Sequence, residues 1–270
     1  DIYITDQMES KHIPGVSAVI IKDNKLAWVG NYGTANLTTG TAVDTNTIFM
    51  LASISKTITC TAIMQLYEDG YFELDDNIND HLPFEIHHPT YPDSIITMRQ
   101  LLTHSAAMRD NWNILDTVYV PGDATLPLGE FMQGYFEVGG PYYYAEDNFY
   151  TYAPNTQYNY CNEGIALLGY MVELFSGKPF NEYCNENIFE PLCMSNTGWF
   201  LSELDTNLIA HPYDYIGDAY VDYGLYGYPD YPDGQLRTTA LSLAKFLWMN
   251  MDNGNFNGVQ LLLPETIELI

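Results

Sequence analysis

Positive charge is scarce in this chain. Nine Lys and Arg stand against 35 Asp and Glu, a formal net charge of −26 over 270 residues. The three arginines (Arg99, Arg109, Arg237) and six lysines are scattered. No basic patch offers itself to a phosphate backbone, so no nucleic-acid partner is expected. Apolar runs are short, and none approaches the roughly 20 residues that a membrane-spanning helix needs. Cysteine is sparse too: Cys60, Cys161, Cys184 and Cys193 are too few for a disulfide scaffold and form no C-x-x-C pair. Cys184 and Cys193 either pair with each other or stay reduced in the core. The chain opens at Asp1 without a charged segment leading into an apolar one. Any signal peptide is therefore expected to be removed or never present. The acidity suits a surface in salty or cold surroundings, and equally an ordinary secreted surface.

What is present is globular. With 47% hydrophobic residues, the length allows one large domain or two small ones around a substantial core. Apolar β-rich runs from Val16 to Lys22 and from Lys25 to Val29 flank Asp23-Asn24 and predict a β-hairpin. From Ile48 to about Tyr67 the residues are apolar on most helical faces, predicting a buried helix that ends at Gly70. Ile96 to His104 reads as a short amphipathic helix. Glu163–Phe175, Pro179–Phe189 and Thr239–Met251 also carry helical periodicity. Residues 139–160 and Tyr213–Gly234 are crowded with Tyr, Asn, Asp, Gly and Pro and read as loops.

Strands first and helices through the middle predict an α+β fold with a helical insertion rather than alternating βαβ units. The expected organisation is one domain over 1–270. An α/β part covers roughly 1–60 and 230–270, and a mostly helical part covers 61–229. A two-stranded hairpin is not stable by itself. Its sheet partners are therefore expected beyond residue 270, where the chain stops inside a helical pattern.

The sharpest chemical feature is Ser53-Ile54-Ser55-Lys56, an S-x-x-K. Serine is a weak nucleophile until a base removes its proton. Residues i and i+3 share a helix face, so Lys56 can bring its amine to the Ser53 hydroxyl. A helix N-terminus at Ser53 would favour negative charge there. The apolar neighbours Phe49, Met50, Leu51, Ile54 and Ile58 would favour the neutral amine that a base requires. Ten serines and six lysines give roughly 0.2 such spacings by chance. A second one exists, Ser242-Leu243-Ala244-Lys245, which reads as a helix-start serine and a solvated lysine. The same bland reading of Ser53, with a snorkelling lysine, is harder to hold on so apolar a helix. Tyr160-Cys161-Asn162 is a candidate second base and substrate contact. Tyr183-Cys184-Asn185 has the same spacing, but lies within an amphipathic helix where packing explains it. Tyr160 lies in a loop before a helix, where a polar tip can enter a cleft.

Taken in order, these segments resemble the serine β-lactamase and penicillin-binding-protein superfamily, in its branch of class C β-lactamases, D-Ala-D-Ala carboxypeptidases and family VIII esterases. The resemblance runs through Phe49, Ser53 to Lys56, Glu68-Asp69-Gly70, Leu74-Asp75-Asp76 and Leu82-Pro83. It continues through Ile96-Thr97 to Thr103-His104, Tyr160 to Asn162, Phe175 to Phe180, Phe189 to Leu192, and Gly234 to Arg237. It covers nearly the whole chain. It implies a β-lactamase-like fold, an antiparallel sheet flanked by helices with an inserted helical subdomain, the C-terminal part of the sheet being absent from this sequence. It further implies a metal-free and cofactor-free serine hydrolase, periplasmic or secreted, acting on a small-molecule or peptidoglycan-type substrate. Ser53 would be acylated, Lys56 would be its base or proton relay, Tyr160 would share the base role and protonate the leaving group, and Asn162 would orient the substrate's amide. His104 is read as a packed or capping histidine. Two departures stand out: residues 163–270 contain no K-T-G or H-x-G, and Ala106-Ala107 replaces the family's Ser-Gly after Thr-His.

Other constellations fail. His87-His88 are adjacent in a loop, lack i, i+4 metal spacing and read as surface histidines. Asp75-x-Asn77-x-Asn79 lacks the Gly and Glu that a calcium loop requires. The readings carried forward are a serine hydrolase acting on a small ester, a D-amino-acid peptide or a β-lactam, and a penicillin-recognising or scaffold protein of the same fold with little or no turnover.

Overall fold

The N-terminal sequence alternates β-branched runs with turn signals, and the backbone follows it. The computed structural model describes residues 1–270. It opens with an exposed helix, α1 (Ile2–Lys11), that no apolar periodicity announced and that buries none of its residues. Strands β1 (Gly15–Ile21) and β2 (Leu26–Asn36) then form the expected antiparallel hairpin, with Val16 opposite Tyr32 and Ile20 opposite Trp28. Asp23 and Asn24 both take positive φ, 51° and 52°. Lys22 and Lys25 exchange backbone hydrogen bonds around them at 2.9 and 3.0 Å. Such a turn matches the twist of the flanking strands, and Asp and Asn tolerate it better than most residues. The short strand β3 (Thr41–Ala42) adds to β2, leaving β1 at the other edge of a three-stranded sheet.

The expected helix from Ile48 begins seven residues late. Ile48–Met50 is a strand, β4, paired antiparallel with β9 (Arg237–Thr239). A single 3-10 turn at Ala52–Ile54 follows, and helix α2 spans Ser55–Glu68. A short apolar run fits a buried strand as well as a buried helix, and periodicity alone cannot separate them. The helix ends as expected. Gly70 has φ 77°, its N–H donates to the Tyr67 carbonyl at 3.0 Å, and Tyr71 N–H reaches the Leu66 carbonyl at 3.1 Å.

Helices then fill the middle of the chain: α3 (Met98–Leu102), α4 (Trp112–Val118), α5 (Leu128–Phe136), α6 (Ala145–Asn148), α7 (Asn162–Ser176) and α8 (Phe180–Cys184). Thr97 and Gln100 cap α3 reciprocally. Gly177, at φ 69°, ends α7, while α8 runs on through a turn of π-helix to Phe189. α2 packs against α7 in the core, where Ile58, Ala62, Ile165 and Leu168 are all buried. Strand β5 (Val120–Pro121) pairs with β8 (Tyr226–Gly227).

The expected Tyr213–Gly234 loop contains a hairpin instead. β6 (Tyr213–Ile216) pairs with β7 (Ala219–Asp222) across Gly217 and Asp218, both at positive φ. Every residue of β7 is exposed, so no alternation of apolar and polar residues marked it as a strand. Helix α9 (Ala240–Met251) starts as read, with Thr239 Oγ1 accepting the Ser242 N–H at 3.1 Å. The chain continues through β10 (Asn255–Phe256) and β11 (Val259–Gln260) to α10 (Pro264–Leu269). No helix is long and apolar enough to cross a membrane.

All four cysteines are free, so the possible Cys184–Cys193 bridge is not formed. Burial pushes the Cys161 and Cys184 thiols up and raises Cys60 to about 11. Cys193 is exposed. An alkylating reagent is therefore expected to label one thiol quickly in the native protein, and Cys193→Ser is expected to remove that fast phase. Leu168 is fully buried and Leu247 is 52% exposed. Denaturant unfolding should show a loss of about 2–5 kcal/mol for Leu168→Ala and about 0.5 kcal/mol or less for Leu247→Ala.

Candidate active site

Ser53 occupies the 3-10 turn between β4 and α2 and is exposed. The residue before it, Ala52, is held at φ 48°, a left-handed conformation that a side chain with Cβ resists. Strand pairing enforces the turn on both sides. Leu51 N–H donates to the Leu236 carbonyl at 2.8 Å, and Leu236 N–H donates to Ser55 Oγ at 3.1 Å. The turn lifts Ser53 outward while Ser55 and Lys56 point into the protein, Lys56 being only 7% exposed.

The i, i+3 spacing does what helical geometry predicts. Lys56 Nζ lies 3.3 Å from Ser53 Oγ and donates to the Asp233 main-chain carbonyl at 2.7 Å. Tyr160 arrives from the loop before α7, and its hydroxyl donates to Ser53 Oγ at 2.8 Å. Its ring centroid is 4.9 Å from Lys56 Nζ, so the cation also faces an aromatic surface. Ser53, Lys56 and Tyr160, residues chosen by spacing and position, thus meet at one oxygen.

Two side chains hold the Tyr160 loop. The His104 ring lies 4.6 Å from the Tyr160 ring, centroid to centroid, and its Nδ1 accepts the Cys161 N–H at 3.2 Å. Burial, and then the positive charge of Lys56, push the His104 pKa down. That favours the neutral imidazole, the form in which Nδ1 can accept. The packed, capping role read for His104 matches this arrangement. Asp110, which no motif marked, takes the N-terminus of α7. It accepts the Asn162 N–H at 2.7 Å, the Asn162 side-chain Nδ2 at 2.8 Å and the Glu163 N–H at 3.3 Å. Asn162 therefore bonds to Asp110 and to none of Ser53, Lys56 or Tyr160. Its amino end is engaged, so Oδ1 is the end that faces away from the carboxylate.

Several alternatives resolve as structural. Ser242 Oγ donates to the Ser195 carbonyl at 2.7 Å, and Lys245 binds the Cys193 carbonyl. This second S-x-x-K makes no Ser–Lys pair. Tyr183 is buried with its hydroxyl 3.3 Å from Gln65 Oε1. Arg237 is 1% exposed and donates to the main-chain carbonyls of Trp199, Gln235 and Tyr226, so it presents no charge to a substrate. Asp75 pairs with Arg99 through two bonds of 2.8 and 2.9 Å. His87 is at the surface beside Glu85, but His88 is not: it is fully buried, and its Nδ1 accepts the Thr90 and Tyr91 N–H groups. Its loop position beside the exposed His87 gave no sign of that enclosure. Three buried carboxyl groups, Glu163, Asp230 and Asp233, come together within 4.8 Å of one another. They are the one His/Cys/Asp/Glu group with metal-ligand proximity.

The Beta-lactamase family model matches residues 1–267, and the chain belongs to that family. It is similar to penicillin-binding protein 4 of Amycolatopsis lactamdurans, 26% identical over 249 residues, covering 90% of this chain and 61% of that protein. A β-lactamase of Yersinia enterocolitica is 26% identical over 249 residues, 92% of this chain and 58% of the other. Among solved structures, the octameric penicillin-binding protein homologue from Pyrococcus abyssi superposes with a TM-score of 0.75 at 27% identity, covering 99% of this chain and 58% of that one. The D-amino acid amidase from Ochrobactrum anthropi gives 0.78 at 20% identity, covering 98% and 71%, and shares the fold. The expected α+β, β-lactamase-like architecture is thereby met. The chain spans about 60% of the length of the two curated relatives described.

Asp110 satisfies three donors at one helix end. Asp110→Ala is expected to lower stability by about 1–3 kcal/mol, and Asp110→Asn, which keeps one carbonyl acceptor, by less. Chemical denaturation of both variants checks the order.

Proposed function

We propose that this chain carries the nucleophile and bases of a serine hydrolase that forms an acyl-enzyme on Ser53 with an ester or amide. The observation that supports this reading is the meeting of the Lys56 amine and the Tyr160 hydroxyl on Ser53 Oγ, at 3.3 and 2.8 Å. In the reaction, Lys56 in its deprotonated form takes the Ser53 proton as Oγ bonds to the substrate carbonyl carbon. Negative charge gathers on the carbonyl oxygen, where the Ser53 backbone N–H is one donor, an interaction worth about 3 kcal/mol. Tyr160 passes its proton to the leaving oxygen or nitrogen as that bond breaks, and recovers a proton from Lys56. Water then attacks the acyl group by the reverse proton path and frees Ser53. Asn162, its amino end held by Asp110, orients the substrate through Oδ1, which accepts an N–H.

Cations are few near this constellation. Lys56 already serves Ser53 and the Asp233 carbonyl, and Arg237 is fixed on main-chain carbonyls. With a net charge of −26, an anionic substrate is repelled at low salt. This favours small neutral esters or D-amino-acid derivatives over anionic β-lactams. A second reading, one acylation with little or no turnover, uses the same Ser53 nucleophile.

Intact mass after incubation with a penicillin and with an activated ester tests both readings. A Ser53-linked adduct that is absent in Ser53→Ala, with continued release of product, is expected. A stoichiometric burst without further release supports the second reading, and an adduct mapping elsewhere sinks both. Lys56→Ala and Tyr160→Phe should each slow acylation about 10²–10⁴-fold while Ser53 remains the labelled residue.

A further inference from the structure

We propose that Glu163, Asp230 and Asp233 share at least one proton in a closed acid cluster, and that this proton holds the Asp230–Asp233 turn where the Asp233 carbonyl seats Lys56. The three side chains offer oxygens within 4.8 Å of one another, and all three residues are buried, Glu163 completely. Both Glu163 carboxyl oxygens and Asp230 Oδ1 are enclosed with no hydrogen-bond donor around them. Asp233 has two roles: its side chain belongs to the cluster, and its main-chain oxygen accepts the Lys56 amine at 2.7 Å.

Three carboxylates cannot all stay ionised in such a place. Burial penalises each charge, and like charges at this separation penalise one another. An ionised carboxylate only accepts, so no pair among the three can bond until one is protonated; the protonated carboxyl then becomes the missing donor. Burial, the leading cause, pushes Asp230 up to about 6. Burial and the facing carboxylates together push Glu163 and Asp233 up as well.

The groups facing the cluster come from every side. Asp110 stands at the end of α7, and Lys56 of α2 is the single cation, acting on Asp230 and Asp233. Tyr119, Tyr135 of α5 and Cys161 also feel the Glu163 charge. Apart from Lys56, none of these supplies a positive charge.

The sign of the pH effect follows. A carboxyl group with a raised affinity for its proton in the folded state contributes stability that is complete below its unfolded value, about 4.3 for Glu. That stability is lost as pH rises through the folded value. In this window, one extra proton on the folded chain raises the unfolding equilibrium constant about tenfold per pH unit.

Glu163→Gln places a permanent amide donor where the shared proton sits. Urea unfolding from about pH 5 to pH 9 is expected to show the wild-type unfolding constant climbing about tenfold per unit more steeply than that of the variant. The infrared spectrum of the wild type at neutral pH should contain a protonated-carboxyl C=O band that is absent from Glu163→Gln. Equal pH slopes, or no such band, overturn the proposal. A melting temperature that falls with EDTA and recovers with calcium overturns it too, because the cluster would then be a cation site. If Glu163→Gln does not fold, Asp230→Asn puts the same donor on the facing carboxyl and is read in the same way.

The seating of Lys56 rests on the hydrolase reading. With an activated ester, kcat should fall at alkaline pH in the wild type and stay level in Glu163→Gln, with KM little changed in either. An identical fall in both proteins overturns the seating. Absence of all turnover counts against the hydrolase reading, while the unfolding and infrared results still decide whether the proton is shared.

Discussion

The pairing of β4 with β9 is the constraint on which the rest of the site depends. Ile48 to Met50 and Arg237 to Thr239 lie nearly 190 residues apart in sequence and are joined as antiparallel neighbours. The ladder continues past the strands through the Leu51–Leu236 and Leu236–Ser55 bonds, ending at Lys56 on the Asp233 carbonyl. Each bond is ordinary in strength, about 1 kcal/mol net. Together they set two turns face to face, one carrying Ser53 and the other Asp233. The left-handed Ala52 and the buried Lys56 are consequences of that pairing. Neither is stable as a local choice of the chain, since one opposes steric preference and the other opposes hydration.

Much of this was legible in the sequence, and what escaped did so for physical reasons. Ser53 and Lys56 were visible because a helical i, i+3 spacing is a statement about distance. Tyr160 was separable from Tyr183 because loop and helix differ in pattern, even where the motif does not. The start of α2 was misplaced because Ile48-Phe49-Met50 suits a strand and a helix equally. The β6–β7 hairpin was missed because its second strand faces water throughout. Asp233 escaped for another reason. It meets Lys56 through a main-chain oxygen, and any residue has one, so residue type carries no trace of the contact. The same holds for the direction of the Asn162 amide, which depends on Asp110, 52 residues earlier.

The charge of the molecule is divided between two environments. Most of its acids stand in water, where they set the long-range field and cost little. A few are drawn in beside the site: half-buried Asp110 with three N–H donors, and the buried Glu163 cluster with none. Donor supply separates these cases. Asp110 sits at a helix N-terminus, where free N–H groups are abundant. Glu163 is the second residue of the same helix, but its carboxyl oxygens are buried and meet none of those N–H groups.

Ser53 and Lys56 meet solvent on unequal terms. The serine stands in the open on its turn, and the lysine beneath it is 7% exposed. On the hydrolase reading, a bulky acyl donor can therefore approach Ser53 without the protein having to open. A small amine supplied from solution finds no comparable way to the space behind it. Truncating Lys56 would leave a cavity walled by Tyr160, Ser53 and the Asp233 carbonyl, so chemical rescue by added amines would be poor even with the serine fully accessible. On that reading, the site is permissive toward what it receives and closed around the group that activates it.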